Sequence, residues 1–189
     1  MLDTIAMKGV AVAIWNRQFR SPFQAWLDGL PADRLPRLHT LVAVQSVEPA
    51  VHAACDSVGL PNSPEREMLA GDVAMLALIF ANILHQPLLR LKLDILQHEA
   101  AEKFHIGNVR ARLFCAYRSA GLEFGACEPD GIPRESFALP VGMPAVFRGL
   151  LWQGVELSRV AYRLVPITAP DEIRLLLTID PADGVTKLS

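Results

Sequence analysis

The chain has 189 residues, 51% hydrophobic and 20% charged, and carries a net charge of −2 at neutral pH. That balance excludes disordered, collagen-like and coiled-coil architectures, and the length suits one domain with a sizeable core. With 18 basic against 20 acidic residues there is no broad basic field, so neither nucleic acid nor an anionic membrane surface is expected as a partner.

Taken in chain order, residues 1–87 read as a mainly helical layer, 88–180 as a β-core and 181–189 as a tail, all within a single domain over 1–189. The opening MLDTIAMKGV has an early acid and neither the basic nor the long apolar stretch of a secretory signal, so a cytoplasmic location is expected. Residues 10–15 alternate weakly and fit an edge strand. Ser21 as N-cap and Pro22 at the first helical position open a short helix over 21–30. Residues 35–59 carry apolar side chains at mixed spacings and read as helix. After the loop Pro61-Asn62-Ser63-Pro64, a buried helix is predicted from about 65 to 85. Its face is Leu69, Val73, Leu76, Phe80 and Ile83, and Pro87 marks its end. The apolar run over 68–84 approaches the length of a membrane span, but Asp72 and Asn82 interrupt it and a core helix is expected.

From residue 88 the period drops to two. Strands are predicted over 91–98, 108–117, 144–148 and 172–180, separated by loops rich in Gly and Pro over 121–133, 140–144 and 166–170. Several short strands between turn signals suggest a sandwich or barrel. The apolar surplus leaves surface to cover, so a buried cavity or a homodimer contact is expected.

The common catalytic signatures are missing: there is no GxSxG, P-loop, GxGxxG or HExxH. Cys55, Cys115 and Cys127 form no CxxC pair and argue against a disulfide framework or a zinc knuckle. His39 and His52 read as structural or solvated, and His85 sits where a helix C-terminus welcomes positive charge. His98 and His105 flank Glu99 and Glu102, a concentration of potential ligands that matches no zinc module; a solvated turn between two strands accounts for it equally well.

The stretch from Lys103 to Phe124, KFHIGNVRARLFCAYRSAGLEF, resembles the signature of a bacterial family, domain of unknown function 1826. That family's pattern runs F-H-x-D, then R-L-L-C-T-Y, then G-P-G-T-E-W. Residues 139–149 resemble its glycine-bounded strand, 162–166 fall where it has H-R-S-P-P, and 174–180 resemble its closing strand. Residues 13–17 fit as well, so the resemblance spans most of the chain.

The family pattern in turn resembles non-haem iron, 2-oxoglutarate-type oxygenases. This implies an α+β fold: a double-stranded β-helix (jelly-roll) core with an N-terminal helical layer. It also implies a facial site of two His and one carboxylate that leaves positions open on the metal. This chain departs from that site: Gly107 stands at the carboxylate position and Tyr162 at the distal histidine, so of the three implied ligands only His105 remains. The polar lining is thinned too, with Leu164 in place of the pattern's Ser.

What survives is basic. Arg112, Arg163 and Arg174 sit in or beside apolar strands, and buried guanidinium groups need carboxylate partners or an anionic ligand. Glu123 and Asp180 are the nearest carboxylates by pattern. Arg112, Tyr117, Glu123, Tyr162, Arg163 and Arg174 are the candidate ligand-binding residues, and a small carboxylate or phosphate is the expected ligand.

The leading expectation is a degenerate, non-catalytic module that binds a small anion or a protein partner and needs no cofactor. The alternative is an oxygenase using Fe(II) or another divalent metal at a site rebuilt from His98, Glu99, Glu102 or Glu123.

Overall fold

Residues 1–97, 103–128, 131–154, 158–167 and 169–182 are described by a computed structural model. The change of period seen in the sequence divides the layers. Helices come first: α1 (Ser21–Gly29), α2 (Val47–Ser57) and α3 (Pro64–Leu84). Strands dominate from Leu88 onward.

Local chemistry sets the bounds of α3. The Ser63 hydroxyl accepts the Arg66 N–H at its start, Pro64 opens it, and Glu65 and Glu67 lie in its first turn. His85 closes it in a left-handed conformation (φ 49°). Leu69, Val73, Leu76 and Phe80 are buried, each stabilising the fold by roughly 1.5–3 kcal/mol. By length and hydropathy α3 could cross a membrane; here its buried residues join the core shared with the sheet.

Two antiparallel sheets follow. The larger has the order β1 (Val12–Ile14), β7 (Ala145–Arg148), β4 (Ala111–Arg118), β9 (Arg174–Pro181), β3 (Leu88–Leu96) and β2 (Leu38–Ala43). The smaller has the order β6 (Phe137–Leu139), β5 (Leu122–Ala126) and β8 (Val160–Leu164). Alternation along each strand sorts the side chains. Leu91, Leu93, Leu113, Cys115, Leu177 and Ile179 face the helices. Phe114, Phe147 and Leu176 face the small sheet and meet Leu122, Leu139 and Tyr162 there.

This arrangement corrects the expected double-stranded β-helix. Such a core closes by sharing strands evenly between two curled sheets. Here six strands pair in one sheet and three in the other, with β1 and β2 at the edges of the first and β6 and β8 at the edges of the second. Among the described residues neither sheet closes or curls into a barrel. The architecture is α+β: a helical layer, a six-stranded sheet and a three-stranded sheet.

Other elements also differ from the sequence reading. Residues 35–59 are not one helix: Leu38–Ala43 is β2, paired along its length with β3, and only Val47–Ser57 is α-helical. The β-branched Thr40 and Val42 suit a strand, and pairing with β3 overrides local spacing. The span 121–133, read as a loop, contains β5. Its Gly125 lies against the backbone of Glu135, where a Cβ would collide. The strand expected over 91–98 ends at Leu96, and His98 lies outside the described residues, as does the tail from 183 onward.

Candidate functional site

The small sheet covers the β7–β4 side of the large one and leaves the β3–β2 side open. A pocket of about 440 Å³ lies at that boundary. Its apolar wall is Phe114 and Leu176 from the large sheet, Leu122 and Leu164 from the small one, and Leu96 at the end of β3. Its polar wall runs along β9, β3 and β2: Asp180 and Thr178, then Lys92 and Asp94, then His39, which contacts the Asp94 carboxylate.

Arg112 and Asp180 anchor the polar wall. Arg112 Nε and Nη2 donate to the two Asp180 oxygens, both at 2.7 Å. Burial works against the guanidinium's charge, but the hydrogen bonds and charge of Asp180 outweigh it and hold the Arg112 pKa above its ordinary value. The third nitrogen, Nη1, donates to the Tyr162 hydroxyl at 3.2 Å.

Tyr162 is 2% exposed and packs edge-on against Phe114, with ring centroids 5.0 Å apart. His105 is locked beside it. Backbone N–H···O bonds of 3.0 Å run in both directions between the two residues, their rings are 4.8 Å apart, and the His105 Nδ1 is 3.1 Å from the Lys103 carbonyl.

The three pattern positions therefore converge, but they do not make a metal face. Gly107 offers no donor, and a Cβ built on it would collide with the Tyr162 Oη. The phenol occupies the room that a side chain at 107 would need, and it is hydrogen-bonded to a cation. A facial site needs three convergent donors, and His105 alone remains. Elsewhere Glu48, His52 and Glu67 place one donor atom each within 4.8 Å of one another. That incomplete group lies on α2 and α3, on the far side of the large sheet, and shares no residue with the pocket.

The other sequence candidates are dispersed. Tyr117 lies five residues from Arg112 on β4, so alternation turns it to the helix side. Its hydroxyl donates to Asp72 Oδ2 at 2.6 Å, and Asp72 also receives Arg17 at 2.5 and 2.8 Å. Burial, then the Asp72 charge, pushes the Tyr117 pKa well above its ordinary value. Arg163 donates to Glu123 at 2.8 and 3.0 Å across the β5–β8 ladder, and neither lines the pocket. Being adjacent to Tyr162, Arg163 faces the opposite way. Arg174 is fully buried, donates to the Val165 carbonyl at 2.9 Å and lies 3.7 Å from Glu172. Glu99 and Glu102, like His98, lie outside the described residues.

Sequence reasoning missed Lys92, Thr178, Asp94 and His39 as pocket residues. For Lys92, Asp94 and Thr178 the signal was the polar phase of the period-two pattern in β3 and β9, opposite the leucines; His39 lies on β2, a segment that reads as helix in the sequence.

A family pattern described as protein of unknown function (DUF1826) matches residues 1–180. The chain belongs to that family. No curated protein matches the chain in sequence. Among solved structures it resembles the dioxygenase for auxin oxidation 1 of Arabidopsis thaliana, in a complex with 2-oxoglutarate, at a TM-score of 0.51 and 11% identity. That match covers 81% of this chain and 65% of the other, so the chain spans just under two thirds of the plant enzyme's length. The rice dioxygenase for auxin oxidation follows at 0.49 and 16% identity, covering 92% and 75% of the two chains. A 2-oxoglutarate-Fe(II) oxygenase family protein from Burkholderia pseudomallei follows at 0.46 and 15%, covering 98% and 92%. At these identities the likeness is one of fold alone, and the two scores below 0.5 carry no argument. The fold is similar to that of the plant dioxygenase, and among the described residues the one group of potential metal ligands, Glu48, His52 and Glu67, is incomplete.

Proposed function

We propose that this protein is a non-catalytic ligand-binding module in which the pocket between the sheets takes a small carboxylate or phosphate in place of a metal. One observation carries the reading. At the former metal face, the Tyr162 phenol fills the space above Gly107 and is tied to Arg112, which Asp180 in turn holds at the pocket wall. The scaffold thus presents an oriented guanidinium and hydroxyl where donors to a metal would stand, and oriented N–H and O–H groups are the chemistry of carboxylate and phosphate recognition.

Titration of the full chain with acetate and with inorganic phosphate, followed by amide chemical shifts, tests this. Shifts centred on Arg112, Tyr162 and Asp180 for at least one anion, abolished in Arg112→Lys, are the expected result. Anion-induced shifts confined to other surfaces, or none at all, contradict it.

A further inference from the structure

We infer that the anion this pocket selects is a monocarboxylate with a compact apolar body. The inference rests on the anion-binding reading above and adds the ligand's charge and shape.

The charge count comes first. The pocket's fixed charges are Lys92 and Arg112 against Asp94 and Asp180. Arg112 is paired with Asp180 and Asp94 is contacted by His39, whereas Lys92 makes no ion pair among the described residues. Lys92 is thus the cation open to a ligand, suited to a single negative charge. A dianion would set its second charge beside Asp94 or Asp180, where like charges repel.

A second observation points to the same place. Thr178 is 9% exposed, lines the pocket, and its hydroxyl has no hydrogen-bond partner among the described residues. The hydroxyl lies on the pocket lining, where a ligand oxygen can replace solvent on it. Thr178 pairs in register with Lys92 on one side and with Phe114 on the other. The ammonium and the hydroxyl therefore belong to neighbouring strands on one face and converge on one ligand group.

The same register fixes the shape. Phe114 stands two strands from Lys92, about 9.5 Å by strand spacing. Beyond Thr178 the wall is Phe114, Leu176, Leu122 and Leu164, with no charged side chain among them. A carboxylate held by Lys92 and Thr178 places its remaining atoms against this wall, and the volume of about 440 Å³ suits a ligand of that size. Leu164, on the edge strand β8, closes the apolar end.

Calorimetric titration with hexanoate, hexanamide, glutarate and inorganic phosphate tests the inference on the parent and on Lys92→Gln, an exposed position whose change leaves the core intact. Hexanoate should bind tightest, and hexanamide about tenfold weaker, as expected for loss of one charged contact. Lys92→Gln should bring hexanoate down to the level of the amide, and Leu164→Ser should weaken hexanoate while leaving acetate unchanged. Glutarate or phosphate binding as tightly as hexanoate, or hexanoate indifferent to Lys92→Gln, overturns the inference. If phosphate binds through Arg112 and hexanoate does not, the inference falls and the anion-binding reading stands. If no anion binds, both fall.

Discussion

Gly107 and Tyr162 fit together in space. Gly107 makes room for the Tyr162 phenol, and the phenol reaches Arg112, so the phenol stands where the family pattern implies a carboxylate side chain. The pair beneath them is the energetic keystone of the pocket. The Asp180 side chain is 9% exposed and the Arg112 side chain 24%. Removing one partner of such a pair strands the other charge, so Asp180→Ala should cost about 3 kcal/mol in urea denaturation; an unchanged midpoint would show that solvent already carries the charge. A second prediction concerns the opposite face of β4. Burial pushes the Cys115 thiol up to about 12 from its ordinary 9.0, and burial with the Asp72 charge raises the Tyr117 phenol well above 10.0. The unfolded chain gives up these protons first. Their contribution to stability is therefore intact below about pH 9 and is lost as pH rises toward the folded values. Tyr117→Phe removes one titrating group, so its stability should fall less steeply than the parent's over that alkaline range; parallel slopes would contradict the assignment. The sequence held the information that separates Arg112 from Tyr117. An odd spacing within one strand puts two residues on opposite faces, and the same parity separates Tyr162 from Arg163. The convergence of His105, Gly107 and Tyr162 was legible only through the family pattern, because they belong to distant segments that one short backbone bridge brings together.

At the scale of elements, α3 carries a charge inside its apolar run over 68–84. Asp72 interrupts the run, and its partners come from the segment before α1 and from β4: Arg17 and the Tyr117 hydroxyl. Arg17 also donates to the Gly142 carbonyl at 2.8 Å and lies over the Trp15 ring at 4.9 Å. This network fixes how α3 sits on the sheet. Asp72→Ala should destabilise the fold by about 3–5 kcal/mol, and Arg17→Met combined with Asp72→Leu should recover most of it, since breaking a buried pair costs more than replacing it with apolar residues. A double variant no better than the single one would show that the network does more than cancel charge. The helix itself was plain in the sequence, because its apolar spacing and its cap agree. The strands β2, β5, β6 and β8 were not. They are short, and their pairing is decided by partners far along the chain.

At the scale of the molecule, a six-stranded sheet with helices on one face is only partly covered on the other by three strands. The uncovered part holds the pocket, so the mismatch in sheet size produces the site. The buried apolar residues form two separate cores, not the interior of one closed barrel. Composition predicted an apolar excess but not where it goes. Exposed Leu41 and Leu88 lie on the adjacent strands β2 and β3. A homodimer remains our proposal for the use of such surface, and sedimentation at micromolar concentration should give twice the mass of one chain; a single-chain mass would exclude it. The central claim is that His105, Gly107 and Tyr162 converge on one point, as the family pattern implies, without forming a metal site. Titration of Co(II) into the parent and into the double variant Gly107→Asp with Tyr162→His tests it most directly. The account predicts no stoichiometric site in the parent and a clear gain of affinity in the double variant, larger than in either single one. One metal per chain in the parent, abolished by His105→Ala, would contradict it.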